Sequence, residues 1–254
     1  MKRRRIAAFL ILLAAIGLMA FAGTQLYGTM RDYREGNAAY DSLRDQVRGS
    51  GDRDAEARIP LVDIPPLDID FGALKGINEE TVAWLYCPDT EIDYPVMESD
   101  NYIYYLSHLP DGASNANGTL FIDYNNASDF SDRLTVIYGH HMRSGAMFGS
   151  LVGYKAQGYY DEHPYMYLYT EKGNYRIDLI YGCVTGAGEW RERAFMFEEN
   201  VDELVSFAAH HTTFESGAAY KAGAAGDRIV AMSTCSYEFD NARYVVLGIL
   251  RPEY

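Results

Sequence analysis

The sequence predicts an all-β domain with helical decoration, a barrel or a sandwich, carried behind an N-terminal membrane segment. Eight short apolar segments of strand length recur between residues 81 and 250, separated by turn chemistry. Only one convincing helical pattern, Val201 to Phe214, breaks the series, so the strand–helix alternation that builds a parallel α/β sheet is missing. Near the N-terminus, Ile6 to Gly23 are 18 apolar or small residues without a charge.

That run follows Lys2, Arg3, Arg4 and Arg5, and no further charge appears until Arg31. A helix crossing a bilayer core needs about 20 residues. Basic residues before the run and acidic chain after it put the N-terminus inside and the body outside. Ala20-Phe21-Ala22 also fits the cleavage pattern of a signal peptide, although the run exceeds the roughly 7–15 apolar residues usual there. The anchored reading divides the chain into a basic stub (1–5), a transmembrane signal anchor (6–29), a juxtamembrane stalk and linker (30–66) and a globular domain (67–254). On either reading the body is exported, and the anchored reading places it at the outer face of the plasma membrane.

Residues 30–50 are charged and polar, in part helical, and Gly49-Ser50-Gly51 interrupts them. Pro60 and Pro65-Pro66 bracket an extended linker. Phe71 to Ile77 reads as a short helix. The strand candidates are Thr81–Tyr86, Ile92–Met97, Thr119–Asp123, Leu134–Tyr138, Tyr165–Thr170, Tyr175–Val184, Arg228–Thr234 and Arg243–Leu250. Glu171-Lys172-Gly173-Asn174 is a hairpin signal. In the helix, Val201, Leu204, Val205 and Ala208 share one face.

The net charge is −14, and without the basic tetrad 18 basic residues face 36 acidic ones, a balance of −18. So acidic a surface argues against nucleic acid, whose phosphates require clustered Lys and Arg. Solubility explains the charge, and cationic partners such as amines are compatible with it. Three cysteines in an exported chain leave at least one thiol unpaired. Cys87 and Cys183 lie in apolar, strand-like surroundings and read as buried small hydrophobes, with a disulfide between them left open. No C-x-x-C or H-E-x-x-H spacing indicates zinc, no glycine-rich phosphate loop is present, and no cofactor is expected.

Cys235 ends an apolar run in Ser233-Thr234-Cys235, and Arg243 opens the next. A third run ends in Gly139-His140-His141. A thiol needs a neighbouring base or positive charge to ionise, and the tetrahedral intermediate it forms needs a donor for its oxyanion. One residue of each kind stands at a strand edge, which points to cysteine acyl transfer. Adjacent residues on a strand face opposite ways, so only one of His140 and His141 can point at the cysteine.

Over residues 70–252 the chain resembles the sortases, and among them class B. The likeness rests on Ile77-Asn78 with Val82-Ala83-Trp84-Leu85, Ile92-Asp93-Tyr94-Pro95-Val96, and Asn101 with Tyr104-Tyr105-Leu106. It continues through Gly118 to Tyr124, Ile137-Tyr138-Gly139-His140-His141-Met142, Met147-Phe148, Ser233-Thr234-Cys235 and Arg243-Tyr244-Val245-Val246. The resemblance implies an eight-stranded sortase-type β-barrel, with N-terminal helices and a longer helix before the cysteine strand. It implies a cysteine transpeptidase, peptidase-like in its first step, that cleaves a C-terminal sorting signal after threonine through a thioester. The acyl group then passes to an amine of a peptidoglycan precursor or of a pilin. By the same pattern Cys235 is the nucleophile, His140 the acid/base and Arg243 the stabiliser of the substrate carbonyl. Ser233, Thr234, Asn117 and Leu120 are the candidate substrate contacts. A hydrolytic thiol protease and an inactive envelope scaffold are the alternatives.

Overall fold

The computed structural model describes residues 2–48, 67–195, 201–218 and 227–253. The Pro60 and Pro65-Pro66 linker and the Gly49-Ser50-Gly51 break lie outside the described residues.

Eight strands form the domain: β1 (Thr81–Tyr86), β2 (Asp93–Met97), β3 (Leu120–Ile122), β4 (Leu134–Tyr138), β5 (Tyr165–Thr170), β6 (Gly173–Gly186), β7 (Arg228–Cys235) and β8 (Ala242–Glu253). They close into a barrel in the order β1-β2-β3-β4-β7-β8-β6-β5, so no strand edge is left open. The β2–β3 and β4–β7 pairs are parallel and the others antiparallel. The hairpin signal sits where expected, with Thr170 paired to Gly173 across a two-residue loop.

Period-two alternation sorts the side chains. Trp84, Leu120, Ile137, Met232 and Val246 fall in one fully buried cluster, and Leu134, Ile229, Ala231, Val245 and Leu247 in a second. Helix α5 (Val201–His210) seals the second cluster with Val201, Leu204, Val205 and Ala208. It stops short of the predicted Phe214 because Thr213 is drawn into the barrel. Its backbone N–H donates to Gly182 O (2.7 Å) and its hydroxyl meets Tyr244 OH (2.7 Å). Helix α4 (Ala187–Phe195), which the sequence did not announce, precedes α5 in the β6–β7 connection and buries Trp190 in the same cluster. Two short α-helices are α2 (Phe71–Ile77), capped by Asp70 accepting from the Ala73 N–H (2.9 Å), and α3 (Gln157–Glu162), and 3-10 turns run over Tyr104–Leu106 and Ser150–Lys155.

Helix α1 runs unbroken from Lys2 to Val47. Its N-terminal part is long and apolar enough to cross a membrane, and its most apolar window is wholly exposed. Its C-terminal part docks on the barrel: Tyr40, Leu43 and Val47, spaced three and four apart, are buried in the main core. Arg44 and Arg48 both pair with the carboxylate of Asp93 on β2, whose other oxygen accepts from Trp84 Nε1 (2.8 Å). The segment expected as a stalk is therefore, up to residue 48, helical and packed against the domain.

Candidate active site

Cys235 is the last residue of β7 and stands opposite Arg243 at the start of β8. Directly opposed residues on paired strands project to the same face, with Cα atoms about 4.5–5.5 Å apart. Cys235 is half-buried, unlike Cys87 and Cys183, which are fully buried, and the three form no disulfide with one another. The Arg243 guanidinium donates to Ala242 O (3.0 Å). Below the turn, Lys155 reaches Ser236 Oγ (2.7 Å) and pairs with Glu238, while Ser236 donates to the other Glu238 oxygen (2.5 Å). Burial pushes the Glu238 carboxyl up, but the bonds from Lys155 and Ser236 outweigh it and hold the group down at about 2. That cluster staples the loop joining nucleophile and arginine.

The histidine arrives on the neighbouring strand. β4 runs parallel to β7 with Tyr138 level with Ser233, and the two chains stay joined past the strand end. Gly139 N–H donates to Ser233 O (3.3 Å) and Thr234 Oγ1 to Gly139 O (2.8 Å). A Cβ on Gly139 would lie 2.4 Å from Leu120 Cδ2 and 2.7 Å from Phe148 Cδ2, so only glycine fits here. His140 and His141 then diverge, as adjacent residues must. His140 Nε2 lies 2.6 Å from Leu106 O, and His141 Nδ1 lies 2.9 Å from Cys235 O. A carbonyl only accepts, so Nε2 carries the hydrogen in His140 and leaves Nδ1 as the nitrogen that can exchange a proton. His141 is committed to the backbone of Cys235 and lies tilted against Tyr237, with ring centroids 5.0 Å apart.

The other expected contacts divide. Ser233 lies on the Cys235 face of β7, is 2% exposed, and its hydroxyl has no partner among the described residues. Thr234 points the other way and spends its hydroxyl on Gly139. Asn117 is 1% exposed and donates to Asn37 on α1 (2.9 Å), and Leu120 is completely buried in the barrel core. Both side chains are thus as buried as that of Ser233, Asn117 by the docking of α1 and Leu120 by closure of the barrel.

Several neighbours of the site were not singled out from sequence. Asp123 accepts from the hydroxyls of Tyr102 and Tyr138, both at 2.9 Å, and Arg191 of α4 lies over the Tyr102 ring at 5.6 Å. Burial, reinforced by the Asp123 charge, keeps the Tyr138 phenol protonated. The Leu106 carbonyl could not have been found from sequence, since a backbone acceptor leaves no side-chain signature. Among the described residues no three His, Cys, Asp or Glu side chains gather so as to hold a metal ion.

A closed eight-stranded mixed barrel that brings Cys235, Arg243 and His140 to three adjoining strand ends has the architecture of the sortase fold. No protein-family model matches the chain. The chain is 30% identical over 184 residues to sortase B of Listeria monocytogenes, covering 70% of this chain and 72% of that one. It therefore belongs to the class B sortases. Among solved structures, Clostridium perfringens sortase B superposes with a TM-score of 0.62 at 26% identity, over 71% of this chain and 99% of that one. Staphylococcus aureus sortase B shares the fold in a substrate complex (TM-score 0.71, 22% identity, 89% and 100% covered). A sortase B complexed with triglycine does so too (TM-score 0.68, 21% identity, 87% and 99% covered).

Proposed function

We propose that this chain is a membrane-anchored transpeptidase in which Cys235, His140 and Arg243 carry the chemistry. The observation that supports it most is the opposed pair Cys235 and Arg243, with the His140 strand joined to the same sheet. The Cys235 thiolate attacks the carbonyl carbon of the threonine in a sorting signal, and Arg243 donates to the oxygen as it gains charge. The intermediate collapses, the C–N bond breaks, and His140 gives its proton to the departing amine. The thioester is then attacked by an acceptor amine, which yields a proton to His140, and the thiolate leaves.

Ser233, with its buried and unpartnered hydroxyl on the Cys235 face, is suited to bonding the bound peptide. A buried polar group without a partner costs about 1–3 kcal/mol, so a ligand that satisfies it recovers that energy. The acceptor is read as a peptidoglycan-precursor or pilin amine, a class with which the triglycine complex of the related sortase B agrees. The long apolar helix supports a single-pass anchor, and the basic residues Lys2 to Arg5 before it favour a domain outside.

Cleavage of sorting-signal peptides by the full chain in detergent micelles tests this reading, with and without added amines. Cys235-dependent cleavage whose product shifts to the amide as amine rises is expected. Release of free acid at every amine concentration would mean a hydrolase instead.

A further inference from the structure

The carbonyl that holds His140 belongs to a loop clamped by the N-terminal helix. Leu106 O accepts from His140 Nε2, and residues 105–108 are laced to residues 115–119. Thr119 N–H donates to Tyr105 O (2.8 Å), Asn115 N–H to Ser107 O (2.9 Å), and Thr119 Oγ1 to His108 O (2.8 Å). Gly118 sits at φ +60° against this strip; a Cβ there would lie 2.5 Å from Tyr105 O and 2.9 Å from Leu106 O.

Helix α1 grips the far side of residues 115–119. Tyr40 OH donates to Gly118 O and lies 3.0 Å from Thr119 Oγ1. Asn115 Nδ2 donates to Asp32 O (2.9 Å) and Asn117 Nδ2 to Asn37 Oδ1 (2.9 Å). Gly36 lets the helix come this near, since a Cβ there would stand 2.5 Å from both Asn115 Oδ1 and Asn117 Nδ2. The link from α1 to the imidazole thus runs from Tyr40 to Gly118 O, through the Thr119 N–H bond to Tyr105 O, to the neighbouring Leu106 carbonyl and His140.

We infer that the docked half of α1, through Tyr40 and Gly118, is a positioning element for His140, fixing the Leu106 carbonyl that selects the imidazole's tautomer. The inference rests on the reading of His140 as the acid/base for its effect on turnover, but not for its effect on the ring. In a serine-type triad a carboxylate orients the histidine; here a backbone carbonyl does so, and an element from outside the barrel holds that carbonyl still. Tyr40 touches no reacting atom, so its contribution is geometric.

The test uses the full chain in detergent micelles with ring-¹⁵N-labelled histidine, the His140 signal being assigned by its loss in His140→Gln. Tyr40→Phe removes the hydroxyl but keeps the ring edge-on to Tyr94. Ile177→Val, a buried trim on β6, across the barrel from β3, serves as the control for general destabilisation. The inference expects Tyr40→Phe to move the His140 nitrogens away from the pure Nε2–H tautomer pattern, while Ile177→Val does not. It also expects kcat to fall about five- to tenfold at unchanged KM, a modest part of the about 10²–10⁴-fold that acid–base catalysis supplies. Unchanged ring shifts in Tyr40→Phe would overturn it, and so would equal changes in both variants, which would mean general loosening. If the wild type shows no turnover at all, the proposed activity fails while the ring signals still decide this inference.

Discussion

Cys235 and Arg243 occupy directly opposed positions on β7 and β8, at the end of the pair that leads into the connecting loop. Seven residues lie between them in sequence, and that loop is tied down by Lys155, Ser236 and Glu238. In the proposed mechanism the planar Arg243 guanidinium serves the oxyanion that attack by Cys235 generates.

Replacing that fork should be costly even when the charge is kept. Arg243→Lys is expected to lower kcat by about 10²-fold, the scale of losing one preorganised oxyanion donor, with little change in thermal stability. Turnover at saturating peptide, corrected for titratable thiol, is the readout. A lysine variant at full rate would show that a point charge suffices.

Thiol chemistry should pick out one cysteine of three. Burial pushes the Cys87 thiol up to about 11, and both Cys87 and Cys183 lie in the core. Iodoacetamide at about pH 8 should therefore modify the half-buried Cys235 and spare the others until the protein is unfolded. Peptide mapping after a timed pulse checks this, and early labelling of Cys87 would contradict the packing described here.

Glu238 gives the loop an acid dependence. Its folded value, about 2, lies below its ordinary 4.5, so the stability it contributes is present above pH 4.5 and is lost as pH falls towards 2. Wild type should lose more melting temperature across that window than Glu238→Gln. The group is mostly exposed, so the difference is small; identical slopes would remove Glu238 from the account.

Gly139 tests how tightly the histidine strand is seated. Gly139→Ala drives a methyl into Leu120 and the Phe148 ring, both fully buried, and overpacking of this kind costs about 1–3 kcal/mol. Chemical denaturation should show that loss together with reduced turnover. A variant as stable and as active as wild type would mean that the strand end yields freely.

All eight strands and the three catalytic candidates were legible because each depends on local pattern: alternation, turn residues and a reactive residue at the end of an apolar run. What was hidden depends on contacts distant in sequence. Helix α4 buries mainly Trp190, which Glu189, Arg191 and Glu192 flank, so it lacks the apolar stripe that made α5 visible. The part of α1 that meets residues 115–119 includes Gly36, Asn37 and Tyr40, residues that read as a polar stalk until that segment is placed against them. The burial of Asn117 was hidden for the same reason, since the partner that covers it comes from 80 residues away. Family resemblance supplied the choice of His140 over His141; the divergent partners of the two rings, Leu106 O and Cys235 O, give that choice a physical basis.

The most direct test of the central claim is the intact mass of the full chain during turnover of a sorting-signal peptide. An acyl adduct should accumulate on wild type, map to Cys235, be absent from Cys235→Ala, and disappear on addition of oligoglycine or a diaminopimelate-type amine with formation of the amide. Cleavage without a Cys235 adduct, or an adduct that persists unchanged in Cys235→Ala, would contradict the account.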